Sequence, residues 1–310
     1  MRLRTRLLGI NKFDLIYVNS IGSAEVLPYL TSEIPIVCHI HELTVGFRTL
    51  KPDSLRTQLA NAPNLWIAAS VAVRNALVAE GFSPDRIVVH YEMIDVARVI
   101  KAMPEAALLA RMKEELGIPP TADIVMGSGT FEWRKGVDLF AQLASEIRRL
   151  SNREIHFVWI GGKKEGVDWV RLSSDLERIG QIPLHLVTET HDPYSWYALA
   201  DVFALTSRED PFPLVVLEHA AMGHAVVTYQ NGGIPELLTA AGDASGLGVV
   251  DYLDVGEMAR RVIAFLEARE LRDSAGEQLR DHVFRFHDSS SASSTLFDQL
   301  NTLVNSRILR

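Results

Sequence analysis

Short runs of apolar and β-branched residues recur along the chain, each bounded by glycine, proline or polar clusters. In the first hundred residues they fall at 13–18, 35–40, 65–69 and 86–90. Unbroken runs of this length mark strands buried on both faces, whereas a half-solvated strand would alternate. Between them lie segments with helical spacing, such as 70–80, where Ser70 predicts an N-cap and Gly81 a stop. Strand–helix alternation of this kind implies a parallel sheet covered by helices.

The same rhythm continues more regularly further on. The pattern predicts strands at 124–128, 156–161, 184–187, 202–205, 226–228 and 248–250, and helices at 137–150, 167–179, 193–199, 214–222, 234–239 and 255–267. Ile118-Pro119-Pro120 cannot continue the helical stretch before it, so a domain junction is expected near residue 115. A serine run at 289–294 leads into an expected last helix at 296–304.

Composition narrows the class. A chain of 310 residues is long enough for two α/β domains. Its net charge of −8 argues against a nucleic-acid partner, since no basic excess exists to neutralise phosphates. The single cysteine, Cys38, can form no internal disulfide and points to a reducing cytoplasm. No apolar stretch reaches transmembrane length. The alternating arginines of segment 1–10 could touch an anionic membrane or simply be solvated.

Candidate chemistry gathers where strands end and helices begin, the edge at which open α/β sheets bind ligands. Gly127-Ser-Gly129 is followed by Arg134-Lys135-Gly136 ahead of a helix. Glu132 occupies the place of the third glycine of a dinucleotide fingerprint, which weakens that reading. Arg134 and Lys135 at a helix start either suit an anion, whose charge the helix dipole already favours, or are two solvated charges on a loop. Further along, Glu209, Asp210, Phe212, Pro213 and Leu214 open a helix that carries Glu218. Two carboxylates eight residues apart, at 210 and 218, could hold two sets of sugar hydroxyls, or Asp210 could cap the helix and Glu218 be solvated. His39 and His41 alternate onto one side of a strand, but a metal needs a third ligand that the spacing does not supply. Lipase elbow, Walker loop, H-E-x-x-H and cysteine-cluster motifs are absent.

The segment from Ser207 to Glu236, with its two acids and Gly-Gly-x-Pro-Glu loop, together with Gly127–Gly136, resembles the retaining GT-B glycosyltransferases of family 4, also called group 1. The resemblance implies two Rossmann-like parallel-sheet domains facing a cleft: an acceptor-side domain over 1–115, a nucleotide-sugar domain over 116–285, and a helix over 286–310 crossing back to the first. It implies transfer of a sugar from a nucleoside diphosphate donor to a carbohydrate or lipid-linked acceptor with retention, with no cofactor and no metal. Carried over residue by residue, His41, Asp210, Arg134 and Lys135 take catalytic places, His41 facing the donor sugar. Gly127, Gly129, Arg134, Lys135, Thr190, Glu209, Asp210, Phe212, Pro213, Leu214 and Glu218 take donor-binding places, Glu218 on the ribose and Asp210 or Glu209 on the sugar. Cell-envelope glycan synthesis at the inner face of a membrane is the expected setting. A nucleotide-sugar epimerase or phosphorylase on this fold, and a silent sugar-nucleotide-binding protein, stay open as alternatives. The family's first domain has strands ahead of the one at 13–18, so a shortened N-terminal domain, self-association through its exposed edge and weak transfer are further expectations.

Overall fold

The computed structural model describes residues 13–23, 27, 34–50 and 64–308. The arginine-bearing segment 1–10 lies outside them. The described residues group into two compact units, one running to Met93 and including Asp210–Phe212 and the segment from Ser290, the other comprising Ile94–Glu209 and Pro213–Ser289.

In the first unit, β1 (Ile16–Asn19), β2 (Ile36–Ile40), β3 (Leu65–Ala68) and β4 (Ile87–Val89) form a parallel sheet in sequential order. Every residue of β2 is buried, as its unbroken apolar run requires. Helices α1 (Thr44–Leu50) and α2 (Val71–Ala79) accompany the sheet. Trp66 packs edge-on to Phe82, their rings 4.6 Å apart, and Phe47 joins them in the core. Ser70 caps α2, its hydroxyl accepting from Val73 N at 3.2 Å, and Gly81 terminates that helix with φ 92°.

The second unit opens with α3 (Val96–Lys101) and α4 (Ala106–Glu115), ahead of the junction expected near residue 115. There follow β5 (Asp123–Ser128), α5 (Val137–Leu150), β6 (Ile155–Ile160), α6 (Gly166–Ile179), β7 (Leu184–Val187), α7 (Pro193–Tyr197) and β8 (Val202–Leu205). The chain continues through α8 (Leu214–Ala221), β9 (Ala225–Tyr229), α9 (Ile234–Ala241), α10 (Asp243–Gly246), β10 (Val249–Val250), α11 (Val255–Glu267) and α12 (Arg269–Phe286). All six strands are parallel, in the order β10-β9-β8-β5-β6-β7. The chain therefore steps from β5 outward through β6 and β7, then returns to the opposite flank of β5 with β8.

The core of this unit lies where α5 and α11 cover the sheet: Phe140 meets Trp159 at 5.2 Å and Phe157 at 6.1 Å, ring centre to ring centre. Truncating a fully buried aromatic such as Phe140 typically costs about 3–5 kcal/mol. Tyr197 and Leu199 are buried, while Trp196 beside them is half-buried.

Two helices depart from the expected pattern. Arg269–Phe286 carries charges around most of its circumference and buries only Ala275, Gly276, Leu279 and Val283. The serine run is not a lead-in but the first turns of α13 (Ser289–Ile308), because nothing in it breaks a helix. Among the described residues, no helix is long and apolar enough to cross a membrane.

Candidate nucleotide-sugar site

The reversal of strand order between β5 and β8 fixes where the second unit can hold a ligand. Neighbouring strands whose connections leave in opposite directions open a crevice at their carboxyl ends. The loop after β5 carries Gly129, Arg134 and Lys135, and the loop after β8 carries Ser207, Arg208 and Glu209. The two loops lock together. Thr206 Oγ1 donates to Gly136 O at 2.9 Å, Arg208 N donates to Arg134 O at 2.8 Å, and Arg134 Nη1 donates to Glu209 O at 3.2 Å. Gly136 starts α5 in the left-handed region, φ 70°, and a Cβ there would lie 2.1 Å from Thr206 O. Only glycine permits both the conformation and the approach. Gly127 is demanded by packing instead, since a Cβ would meet the Trp159 ring at 2.6 Å.

Arg208 buttresses this junction. Its guanidinium forks onto Asp138, with Nη1 to Oδ1 at 2.8 Å and Nη2 to Oδ2 at 2.6 Å, and Nη1 also reaches Trp133 O at 2.8 Å. It lies 5.3 Å from the centre of the Trp133 ring, and its own carbonyl accepts from Asn231 Nδ2 and from Tyr252 OH. The hydrogen bonds to Asp138 strengthen the hold of Arg208 on its proton. Arg208 was not singled out from sequence because its partner stands 70 residues away.

Of the two acids read as sugar ligands, neither is a plain surface group. Asp210 and Glu209 are both 7% exposed, and the N-cap position of α8 is taken by Pro213. Phe212 is buried with its ring 5.3 Å from that of Tyr91, Pro213 is buried, and Leu214 is exposed. Glu218 is half-buried on α8 and accepts from Tyr194 OH at 3.0 Å. Burial pushes its carboxyl above the usual carboxylate range, against the opposing pull of the Tyr194 bond and the Arg98 charge. Tyr194 is raised in turn, by burial and by Glu218. This tyrosine lay in no recognisable motif; its place one residue inside a helix capped by Asp192 was the only signal. Thr190 sits beyond β7 at the sheet edge, its hydroxyl accepting from Asp192 N at 3.1 Å.

His41 belongs to the first unit. Its Nδ1 lies 2.5 Å from Glu92 Oε1 and its Nε2 lies 2.7 Å from Asn19 Oδ1. His39, on the same side of β2 as expected, stands with its ring 4.1 Å from that of His41 and is bonded to Tyr17 OH at 2.6 Å. Burial depresses His39 to about 4, helped by His41, while burial pushes the Tyr17 phenol up to about 12.

A doubly wound parallel sheet with a cationic loop at its switch point defines a nucleotide-binding class of protein. Residues 110–282, more than half of the chain, match the sequence model of the glycosyl transferases group 1 family, and the chain belongs to that family. It is 27% identical over 262 residues to D-inositol 3-phosphate glycosyltransferase 2 of Catenulispora acidiphila, covering 82% of this chain and 60% of that one. To D-inositol 3-phosphate glycosyltransferase of Corynebacterium kroppenstedtii it is 30% identical over 238 residues, covering 75% and 52%. The chain thus spans between half and three-fifths of the length of these relatives. In fold it is similar to Anabaena HepE, solved with UDP and with UDP-glucose, at TM-score 0.81 and 18% identity over 96% of this chain and 81% of that one. Two Rossmann-like parallel-sheet domains make this the GT-B architecture.

Proposed function

We propose that the protein transfers a sugar from a nucleoside diphosphate donor to an acceptor, with retention at the anomeric carbon and without a required metal. The observation that carries this is the interlocked pair of loops at the β5–β8 switch point, which holds Arg134 and Lys135 at the start of α5. Departure of the nucleoside diphosphate develops negative charge on its terminal phosphate. A fork of guanidinium donors, an ammonium and a helix N-terminus lower the barrier where that charge develops. Glu218, which accepts from Tyr194 OH, takes the ribose hydroxyls in this reading. Asp210, or its neighbour Glu209, accepts from hydroxyls of the sugar, and His41 takes the catalytic place that the family resemblance gives it. Thr190 and the chain from Phe212 to Leu214 complete the donor set. The retained configuration follows the family resemblance of Gly127–Gly136 and Ser207–Glu236.

A thermal-shift panel of UDP-, GDP- and ADP-sugars tests the donor half of the reading. UDP-glucose is the first compound to try, by the likeness to HepE, and a polyol phosphate such as D-inositol 3-phosphate the first acceptor, by the names of the relatives. Stabilisation by one nucleotide series, followed by transfer that persists in the presence of chelator and gives a product of unchanged anomeric configuration in NMR, supports it. No stabilisation by any member of the panel rejects it.

A further inference from the structure

We propose that His39, His41 and Glu92 form a binding site for one divalent cation of the zinc class. The three side chains each offer a ligating atom, and these atoms all lie within 4.8 Å of one another. His39 lies in β2, a strand buried along its whole length, and His41 follows directly after the strand's last residue, its ring 4.1 Å from that of His39. The third arrives on the segment after β4, 51 residues later than His41, where no spacing rule would reveal it. Tetrahedral zinc with bonds of about 2.0–2.1 Å separates its ligand atoms by roughly 3.3 Å. The 2.5 Å contact between His41 and Glu92 therefore opens by about 0.8 Å to admit the ion, and separations as wide as 4.8 Å close by up to about 1.5 Å.

His39 adds an independent argument. It is 6% exposed, yet its Nε2 is buried with no hydrogen-bond partner among the described residues. An imidazole nitrogen in that position costs stability unless something satisfies it. The other ring nitrogen of His39 is held by Tyr17 OH at 2.6 Å, and His41 is held by Asn19 at 2.7 Å. Ligating histidines characteristically have their second nitrogen fixed by an oxygen partner in this manner. Two imidazoles and one carboxylate favour zinc or its neighbours over calcium or magnesium, which require a cage of oxygens. Three protein ligands leave a fourth position open to water or to a substrate oxygen. Because transfer as proposed needs no metal and uses His41, the bound cation acts as an antagonist of the reaction; this one consequence rests on the transferase reading, and the site itself does not.

Cobalt titration of the chelator-treated, nucleotide-free chain tests the site apart from any transferase activity. The expected result is one cobalt ion per chain with visible bands of tetrahedral intensity, displaced by one equivalent of zinc. His39→Ala and Glu92→Gln should each weaken binding at least tenfold, while circular-dichroism melting shows both variants folded. Glu92→Gln keeps an oxygen for His41 and so separates loss of a ligand from loss of the fold. His185→Ala, at the stacked His156–His185 pair, should leave cobalt binding unchanged. Substoichiometric binding, binding unaffected by Glu92→Gln, or binding abolished by His185→Ala would each overturn the proposal.

Discussion

Arg208→Ala is the substitution that most directly tests whether the β5–β8 junction is what positions Arg134. It leaves the backbone bonds in place, since Arg208 N to Arg134 O and the carbonyl contacts with Asn231 and Tyr252 need no side chain. What it removes is the fork onto Asp138, the bond to Trp133 O and the cation stacked on the Trp133 ring. The two charged side chains are 12% and 28% exposed, so the pair lies between a solvated ion pair, worth under about 1 kcal/mol, and a buried one whose breakage costs about 3–5 kcal/mol. Stranding Asp138 at this depth should cost about 2–3 kcal/mol, with the loss of the exposed stacking adding about 0.5 kcal/mol. For a unit of this size that lowers Tm by roughly 5–10 °C. The loop bearing Arg134 and Lys135 also loses its brace, so affinity for the nucleoside diphosphate should fall on the order of tenfold while affinity for the uncharged nucleoside barely changes. Arg208→Lys should recover little, because an ammonium cannot make the bidentate contact. Calorimetric melting and titration with both ligands measure these quantities. A Tm within about 1 °C of the parent chain and unaltered diphosphate affinity would show that the loops hold themselves and that Arg208 is a surface residue.

Three further outcomes follow from the same site. Glu218→Gln should weaken donor binding by about 1.5–3 kcal/mol, more than Glu209→Gln does; equal affinities for the Glu218 variant and the parent chain remove Glu218 from the site. Replacing Arg134 and Lys135 together with alanine should reduce nucleoside diphosphate affinity far more than nucleoside affinity, as isothermal titration would register, and equal losses would mean the pair does not grip phosphate. Donor affinity should decline on acidification at a pH above the usual carboxylate range, because burial raises Glu218 and its ionised form is the better acceptor. The stability contribution of Glu218 runs the opposite way. A raised folded-state pKa favours the protonated fold, so this contribution is present at low pH and lost as pH rises through the raised value. Removing the titrating group by Glu218→Gln should flatten both dependences.

The parallel sheets were legible because a strand covered on both faces has no choice but to be a continuous apolar run. The expected bounds at 137–150, 184–187, 202–205 and 255–267 coincide with α5, β7, β8 and α11. Legibility failed where burial was sparse. Helix α12 buries Ala275, Leu279 and Val283 at helical spacing, but charges surround them and Gly276 between them reads as a breaker. The structure supplies the reason for that glycine: a Cβ would lie 1.9 Å from Gly223 O, the carbonyl at the stop of α8. A residue that looks like punctuation in its own helix is thus a contact point for another.

The candidate site divides along the same physical line. Residues recognised from sequence, Arg134, Lys135, Glu209, Asp210 and Glu218, lie in two contiguous segments whose chemistry is carried by neighbours in the chain. The side-chain pairings around the candidate residues join distant positions: Asp138 with Arg208 at a separation of 70, Tyr194 with Glu218 at 24, Glu92 with His41 at 51. Each pairing is created by the return of β8 to β5 or by the alignment of β2 with β4 across β3, and no local pattern encodes a strand order. Gly136 connects the two levels. In the sequence it ends an Arg-Lys-Gly string; in the fold its missing side chain admits Thr206 O and brings the β5 and β8 loops to hydrogen-bond distance. The Arg-Lys-Gly string is therefore held by a residue seventy positions later, which is why disturbing that closure, rather than the charges alone, discriminates between a built site and a chance cluster.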